Sequence, residues 1–208
     1  MSQTRNCYST ILLAAGQSLR MGGCDKLLLD YNGKPMLQHA VELLRAITCD
    51  ERIIVISEER LESLRGLRSL NERQVLSEDI IVAINTKPQN GQSHSIHLGL
   101  KKATKDFYLF LNADQPRLKA ESLAEMFRLS KDNPEKIIYP TINGCPTSPT
   151  LFPKKFAEGL LALRGDMGGR ALRDAFLDDC IGFEVAIPDD FLDVDSMDDY
   201  RRFESKKL

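Results

Sequence analysis

The sequence predicts an α/β fold in which helices cover a mostly parallel sheet. Short apolar runs rich in β-branched residues alternate with segments in which apolar residues recur every three or four positions. Apolar runs without polar alternation are typical of strands buried on both faces. A length of 208 residues suits one such domain, so we expect residues 1–208 to form a single, three-layer domain.

The apolar runs and the helical spacings give the expected elements in order. Strands are expected at Thr10–Ala14, Arg52–Ser57, Ile80–Ile84, Phe107–Leu111, Lys136–Tyr139 and Ile181–Val185, with further extended pieces at Pro149–Phe152 and Phe191–Val194. Helices are expected at Met36–Ile47, Glu59–Leu70, Ser93–Ala103, Ala120–Ser130, Lys154–Leu163, Gly168–Phe176 and Ser196–Ser205. This alternation predicts right-handed crossovers and a ligand site beyond the carboxyl ends of the strands.

Composition and charge argue against several classes of protein. The formal net charge of -2 gives no reason to expect binding to nucleic acid or to an anionic membrane. The five cysteines are scattered and never spaced as CxxC, so neither a disulfide framework nor a zinc site is indicated. Because no stretch resembles a signal peptide or a membrane span, we expect a cytoplasmic protein that acts on small molecules.

The first strand leads into a glycine-rich turn, Leu13–Gly22. Its small residues allow backbone amides to approach a ligand, and successive amides form a cradle for phosphate oxygens. Ser18 can add a hydroxyl group, while Arg20 and Lys26 bring positive charge suited to a polyphosphate. The turn matches neither the GxGxxG fingerprint nor the GxxxxGK[ST] P-loop. The alternative is a glycine-rich loop whose two cations are simply solvated.

Two acidic segments are expected near this turn. Asp114 follows the buried run Phe107–Leu111, which should deliver it to the same sheet edge, where its carboxylate suits magnesium. The alternative is a turn or helix-capping aspartate. Phe191–Val194 runs into the last helix, for which Ser196 is the expected N-cap and Asp199 a stabilising acid in the first turn.

These segments resemble the motifs of one family. Leu13–Gly22 followed by Lys26 resembles the LAAGxSxRMG…K opening of MobA-like nucleotidyltransferases, Asp114–Pro116 resembles their GDQP element, and Asp193–Asp199 resembles DIDTPED. Met197 replaces the proline of the last element. The resemblance runs from the first strand to the last helix and is closest to the molybdenum cofactor cytidylyltransferase branch. It implies a Rossmann-like, three-layer nucleotidyltransferase domain of the nucleotide-diphospho-sugar transferase type.

The resemblance also implies a role for individual residues. Arg20, Lys26 and Asp114 are the expected catalytic residues, and Asp114 and Asp195 the expected ligands of Mg²⁺. The nucleotide is expected to contact Leu13, Ala14, Ala15, Gly16, Ser18, Arg20, Lys26, Asn85, Gly91, Ser93 and Ser95.

The acceptor is expected at segments that resemble the family's GxPxLF and GDxGAR elements. The expected acceptor residues are Pro149, Asp166, Gly168 and Arg170. Asp166 is expected to cap the helix that begins near Gly168, and the amino end of that helix, with Arg170, suits an acceptor phosphate. The alternative is a structural turn held by an Asp166–Arg170 pair.

The implied reaction is attack by an acceptor phosphate on the α-phosphorus of a nucleoside triphosphate, with release of pyrophosphate. The most specific expectation is transfer of CMP from CTP to molybdopterin. Gly22–Lys26 resembles the guanylyltransferase pattern more closely, so GTP stays open. A sugar- or polyol-phosphate nucleotidyltransferase and a non-enzymatic nucleotide- or cofactor-delivery protein stay open as well. A molybdoenzyme or chaperone is a further expected partner.

Overall fold

The computed structural model describes residues 7–18, 24–66 and 77–205. The strands are β1 (Tyr8–Ala14), β2 (Asp30–Tyr31), β3 (Lys34–Pro35), β4 (Glu51–Ser57), β5 (Ile81–Asn85), β6 (Phe107–Asn112), β7 (Ile137–Ile142), β8 (Cys145–Pro146), β9 (Thr150–Pro153) and β10 (Cys180–Glu184). The α-helices are α1 (Met36–Ala46), α2 (Glu58–Gly66), α3 (Gln92–Leu100), α4 (Ala124–Asp132), α5 (Ala157–Ala162), α6 (Gly169–Ala175) and α7 (Met197–Ser205).

The main sheet has the order β10-β7-β9-β6-β1-β4-β5, and β8 pairs with β7. Strands β6, β1, β4 and β5 are parallel to one another, and β10 is parallel to β7. Among the described strands of the main sheet, only β9, between β6 and β7, and the short β8 form antiparallel pairs; β2 and β3 form a separate antiparallel pair. The predicted mostly parallel sheet is therefore confirmed, with β9 as an antiparallel insertion.

Successive side chains of the central strands pack against opposite helical layers. Leu12 of β1 belongs to a buried cluster with Leu37 of α1, whereas its neighbour Ile11 belongs to a second cluster with Ile96 of α3. This follows from the two-residue period of a strand, which sends alternate side chains to opposite faces. The three-layer prediction is confirmed. Full burial of each such side chain contributes about 1.5–3 kcal/mol, so the sheet is a firm support for the loops at its edge.

Two short hairpins lie outside the predicted elements. Asn32–Gly33 joins β2 to β3, and Asn143–Gly144 joins β7 to β8. The φ angles are +52° and +81° in the first turn and +51° and +75° in the second. Two-residue hairpin turns require this left-handed region, which asparagine and glycine adopt most readily. The Asn-Gly dipeptide is the signal from which both hairpins could have been predicted.

One predicted strand is wrong. Residues Pro188–Phe191 form a 3₁₀ turn, and residues 192–195 have no regular structure. The Val194 N–H donates to the Asp114 carbonyl at 2.9 Å instead of entering a strand ladder. Phe191 and Val194 are apolar because they are buried in two hydrophobic clusters, not because they pair in a sheet.

The predicted helices are present with shifted ends. Those predicted at 120–130 and 154–163 each open with a 3₁₀ turn, at Glu121–Leu123 and Lys154–Phe156. The end of the helix predicted at Glu59–Leu70 lies outside the described residues. Within the described ranges, no helix has the length and apolar character needed to cross a bilayer.

Candidate active site

A cleft of about 470 Å³, here called the first cleft, opens at the edge where the carboxyl ends of β1 and β6 lie. A second cavity of about 340 Å³ adjoins it. Ligands of open parallel sheets bind at this edge, and both volumes are in the range of ligand sites. The two spaces share the lining residues Leu13, Gln92, Asn112, Asp166 and Asp193. Two ligands can therefore lie side by side.

Lys26 connects the predicted acidic residues. Its Nζ lies 2.6 Å from Asp114 Oδ2 and 3.3 Å from Asp195 Oδ1, and it donates to the Val194 carbonyl at 3.0 Å. Burial by itself would lower the pKa of Lys26, but the two carboxylates outweigh it and raise that pKa above its usual value. The structure thus brings together three residues that the sequence predicted as site residues, around an ammonium group that stays protonated.

Asp193 is a third carboxylate at this site, and the sequence prediction missed it. It lines both the first cleft and the second cavity. Solvent reaches its side chain through the open cleft, but the surrounding protein, followed by the charges of Asp114 and Asp195, raises the pKa of Asp193 to about 7. The sequence signal that could have identified Asp193 is the segment Asp193–Asp199, which resembles the family's DIDTPED element and begins with this aspartate.

Asp114 has one carboxylate oxygen to spare. Its Oδ1 is buried and has no hydrogen-bond partner among the described residues, whereas Lys26 occupies Oδ2. An unpartnered buried carboxylate oxygen is unfavourable, and a hard cation would satisfy it. No three potential ligand side chains in the described ranges are arranged to hold an ion alone. Mg²⁺ commonly uses only one or two carboxylates together with phosphates, so the donor set fits such an ion.

A buried glutamine ties the acidic segments together. Gln115 is 2% exposed, and its Nε2 donates to the Phe191 carbonyl at 2.9 Å and to the Ser148 carbonyl at 3.2 Å. It therefore connects the end of β6 with the acidic C-terminal segment and with the loop before β9. A buried amide with several partners fixes the relative positions of the chains that it joins. The sequence prediction did not assign Gln115 a role of its own.

The glycine turn forms one wall of the first cleft. Leu13, Ala15, Gly16 and Ser18 line it, as predicted for residues that contact a ligand. Ala14 lies behind the wall and is fully buried. The Ser18 Oγ accepts a hydrogen bond from the Lys26 N–H at 3.3 Å, so this hydroxyl also supports the segment that carries Lys26. Arg20, a predicted catalytic and nucleotide-binding residue, lies outside the described residues.

The predicted nucleotide loop between β5 and α3 divides into two sets of residues. Gly91 and Ser95 line the first cleft, whereas Asn85 and Ser93 are buried behind it. Asn85 Nδ2 donates to Ser95 Oγ at 3.0 Å, so Asn85 supports a lining residue.

Gly91 is required by its surroundings. Its φ is +83°, and a Cβ there would overlap the backbone of Gly165. Ser93 N–H donates to the Gly165 carbonyl at 3.1 Å. The loop after β5 and the loop before α6 are therefore packed backbone to backbone, and any side chain at Gly91 would separate them.

The predicted acceptor residues surround the second cavity. Asp166, Gly168 and Arg170 line it, and Pro149 is buried beside it after a cis peptide bond with Ser148.

For the acceptor segment, the expected helix cap and the alternative Asp166–Arg170 pair are both wrong. The N-cap of α6 is Gly168, and no side chain caps this helix, so Asp166 does not cap it. Arg170 pairs with Asp174 at 3.5 Å, one helical turn further along the same helix, rather than with Asp166. Asp166 is consequently left lining both spaces.

The predicted start of the last helix is confirmed. Ser196 Oγ accepts from the Asp199 N–H at 3.2 Å, while Asp199 Oδ2 accepts from the Ser196 N–H at 2.9 Å. This reciprocal arrangement is a capping box, which satisfies two otherwise free amides. It fixes the direction in which the chain leaves Asp195.

The fold and the site define an α/β protein with a glycine-rich turn, an acidic cluster and two adjoining spaces at the carboxyl edge of its parallel strands. The chain belongs to the family with the MobA-like NTP transferase domain, which matches residues 10–180.

Curated relatives agree with this assignment. A molybdenum cofactor guanylyltransferase of Vibrio cholerae is 30% identical over 162 residues, which cover 76% of this chain and 72% of that protein. A molybdenum cofactor guanylyltransferase of Vibrio atlanticus is 30% identical over 119 residues, which cover 57% of this chain and 54% of that protein. The match thus spans about half the length of the latter relative. Both names specify guanylyl transfer, so they do not support the cytidylyl expectation specifically.

Solved structures show the same fold. Rv0371c of Mycobacterium tuberculosis superposes with a TM-score of 0.78 at 20% identity, covering 98% of this chain and all (100%) of that chain. A second structure of Rv0371c is a complex with manganese, with a TM-score of 0.72 at 20% identity, covering 97% of this chain and 100% of that chain. These similarities confirm the three-layer, Rossmann-like fold.

Proposed function

We propose that this protein is a nucleotidyltransferase that moves a nucleoside monophosphate from a triphosphate to a phosphorylated acceptor. The observation that carries the proposal is the meeting of two adjoining spaces at a cluster of Lys26, Asp114 and Asp195. A protein that only bound a nucleotide would need the first space alone. The second space and the shared lining residue Asp193 favour a reaction between two bound molecules.

The triphosphate would occupy the first cleft against the glycine turn. The Ala15 and Gly16 segment offers backbone amides, and Lys26 offers positive charge where the pyrophosphate leaves. Electrostatic groups fixed before the substrate arrives need little rearrangement during the reaction. The hydrogen bonds of Lys26 to three acceptors are the reason its ammonium group is already oriented.

Magnesium is the divalent ion that we propose for this site. Asp114, through its unpartnered Oδ1, and Asp195 would hold it, and the manganese complex of Rv0371c supports a divalent ion in proteins of this fold. When bound, such an ion neutralises phosphate charge and orients the phosphates. Asp193 adds negative charge at the junction of the two spaces, which favours a cation there.

The reaction requires no covalent bond to the protein. An oxygen of the acceptor phosphate attacks the α-phosphorus, a new phosphoanhydride bond forms, and the bond to the leaving pyrophosphate breaks. The acceptor phosphate is already ionised near neutral pH, so no proton has to be removed from the attacking oxygen. The contribution of the protein is to hold the two phosphates in line and to compensate their charge.

For the substrates, we propose GMP transfer from GTP to molybdopterin as the first candidate. The guanylyltransferase names of the Vibrio relatives support it, as does the Gly22–Lys26 pattern. CMP transfer from CTP is the second candidate, favoured by the Leu13–Gly16 opening.

For the location, we propose the cytoplasm, because all five cysteines are free thiols. With either candidate, we propose that a molybdoenzyme or chaperone takes up the product.

The deciding experiment measures pyrophosphate release by the purified protein with Mg²⁺ and each of GTP, CTP, ATP and UTP, without an acceptor, with molybdopterin, or with a sugar or polyol phosphate. Calorimetric titration measures the binding of each nucleotide in parallel. We expect release with GTP only when molybdopterin is present. Release with CTP would select the second candidate. Release only with a sugar or polyol phosphate would show that this compound, and not molybdopterin, is the acceptor. Binding of nucleotide without turnover in every combination would contradict the proposed enzymatic function.

A further inference from the structure

Arg60 lies beneath the glycine turn and is 4% exposed. Local geometry places it there, because α2 begins directly after β4 and Ser57 Oγ accepts a hydrogen bond from the Arg60 N–H at 3.3 Å. Strand β4 is the parallel neighbour of β1, with Ile56 opposite Ala14. The first turn of α2 therefore stands beside the end of β1, where the glycine turn starts.

Each nitrogen of the Arg60 guanidinium group has an acceptor. Nη1 donates to the Ala14 carbonyl, and Nη2 donates to the Gly16 carbonyl at 2.7 Å. Nε and Nη2 also hold the two oxygens of Asp25, at 2.6 and 2.8 Å. A buried guanidinium group is tolerated only when it is paired and fully hydrogen-bonded. The two carbonyls of the turn are therefore part of its complete set of partners.

This arrangement fixes which way the amides of the turn face. In a planar trans peptide, the C=O of one residue and the N–H of the next point in opposite directions. The Ala14 and Gly16 carbonyls point at Arg60, so the N–H groups of Ala15 and Gln17 point away from it. Both of these residues line the first cleft, and Arg60 is buried behind them. A phosphate in the cleft would meet the N–H side of the turn.

Asp25 connects Arg60 to the segment that carries Lys26. Its Oδ1 accepts from the Leu27 N–H at 3.1 Å and so caps the 3₁₀ turn Lys26–Leu28. The residue that anchors Arg60 is thus also the residue that starts the turn carrying the Lys26 ammonium group. The guanidinium group of Arg60 thus binds Ala14 and Gly16, which precede residues 19–23 in the chain, and Asp25, which follows them.

We propose that Arg60 is a positioning residue that orients the backbone amides of the glycine turn and the Lys26 segment for the phosphates of the nucleotide. The inference rests on the proposed function, because it presumes that a triphosphate binds in the first cleft. Arg60 touches neither substrate. It acts through the carbonyls of Ala14 and Gly16 and through Asp25.

The test compares Arg60→Lys with Arg52→Lys. Arg52 is a matched control because it also holds backbone carbonyls, donating to Leu44 at 3.1 Å and to Ile47 at 3.0 Å. Its partners lie at the end of α1, remote from the cleft. A lysine retains the charge at either position but loses the planar fork that reaches several acceptors at once.

Three measurements separate the possible results. Hydrogen exchange of the ligand-free protein reports on the amides of residues 13–18 and 24–28, and calorimetric titration with Mg²⁺ and GTP or CTP reports on nucleotide affinity. The steady-state pyrophosphate assay gives the KM for the acceptor. For Arg60→Lys we expect faster exchange in both segments and a Kd for the nucleotide raised by about tenfold or more, with the KM for the acceptor within about twofold. Arg52→Lys should change none of these.

Unchanged exchange in both segments, or unchanged nucleotide affinity, in a folded Arg60→Lys protein would overturn the inference. If exchange increases as expected but the wild-type protein binds no nucleoside triphosphate, the proposed function fails instead, since the exchange experiment contains no ligand. Should Arg60→Lys not fold, Asp25→Asn provides the second variant. It retains an oxygen for the Leu27 N–H but loses the charge that holds Arg60, and we expect the same two changes at smaller size.

Discussion

At the amino ends of β1, β4 and β6, Glu51 accepts hydrogen bonds from Ser9 at 2.6 Å and from the Thr104 N–H at 2.9 Å, and it lies 3.6 Å from Lys105. Burial alone would raise the pKa of Glu51, but these partners outweigh it and lower that pKa. At the carboxyl ends of the same strands, crowded carboxylates share one ammonium group, and the pKa of Asp193 is raised to about 7.

The two ends differ in whether each charged group is matched by oppositely charged or hydrogen-bonding partners. At the amino ends each oxygen of Glu51 is matched with donors, so ionisation favours the folded state. At the carboxyl ends, Asp114 Oδ1 lacks a donor among the described residues and Asp193 faces two like charges, an arrangement that the proposed magnesium ion would stabilise. Sites that bind ions and phosphates commonly show such perturbed groups.

Asp114→Asn gives the largest expected effect. It removes the carboxylate that we propose as the main magnesium ligand, so kcat/KM for pyrophosphate release should fall by about 10²–10³-fold. The control, Asp106→Asn, changes an exposed aspartate at the other end of β6 and should leave the rate unchanged. Full activity of Asp114→Asn in a steady-state pyrophosphate assay would contradict the proposed role of the carboxylates at the carboxyl ends of the strands.

Lys26→Met should reduce both activity and stability. Removing the ammonium group leaves the carboxylates of Asp114, Asp193 and Asp195 to repel one another, so the Tm of the metal-free protein should fall. Added Mg²⁺ should raise the Tm of this variant more than that of the wild-type protein, because a divalent ion can replace the missing charge. Thermal scans with EDTA and with Mg²⁺ measure the two Tm values, and the pyrophosphate assay measures the loss of activity.

The control for that experiment is Lys105→Met at the amino ends, where the lysine lies 3.6 Å from Glu51. Its Tm should respond to Mg²⁺ as the wild-type protein does. An equal response of both variants to Mg²⁺ would show that the acidic cluster is not a special cation site.

Glu51→Gln tests the stabilising end. The variant should unfold about 1–2 kcal/mol more easily at pH 7, because it loses charge-assisted hydrogen bonds to Ser9 and Thr104. The folded pKa is lowered, so the contribution of the charge is present above the unfolded pKa of about 4.3 and is lost as the pH falls through the folded pKa. Urea unfolding at several pH values should therefore show a difference in unfolding free energy between the wild-type protein and Glu51→Gln that disappears in acid. The kcat for pyrophosphate release should be the same for both proteins.

Asp193→Asn has the smallest expected effect and the opposite sign. It removes a carboxylate that faces Asp114 and Asp195, so the Tm of the metal-free protein at pH 8 should rise by about 1–2 °C. The effect is small because water in the open cleft screens the charges. A lower Tm would mean that Asp193 is stabilised by its surroundings like Glu51, and the contrast between the two ends would be lost.

Much of the fold was predictable because its signals are local. Buried strands are continuous apolar runs, so β1, β4 and β6 were placed within a residue or two, and Asp114 followed from the end of β6. The Ser196–Asp199 capping box was predictable for the same reason. The segment 191–194 was not, because Phe191 and Val194 are buried in packing contacts without belonging to a strand.

The candidate site was predictable only in part. Lys26, Asp114 and Asp195 were identified from motifs, but their mutual contacts join residues far apart in the chain. Arg60 and its partner Asp25 are 35 positions apart, and no local pattern marks an arginine whose partners are two carbonyls and a distant carboxylate. Asp193 was missed because the sequence placed it within the expected extended piece Phe191–Val194, and its proximity to Asp114 depends on the tertiary structure.

The sequence by itself determined the α/β class, the strands that end in the glycine turn and in Asp114, and membership of a family with a known chemistry. These depend on periodicity and on residue types in a fixed order, which a linear chain displays directly. Tertiary structure decided the antiparallel insertion of β9, the pairing of Lys26 with two carboxylates, the buried support of the turn by Arg60 and the raised pKa of Asp193. These depend on distance and burial in space, which set the strength of every electrostatic interaction and which the order of residues does not contain.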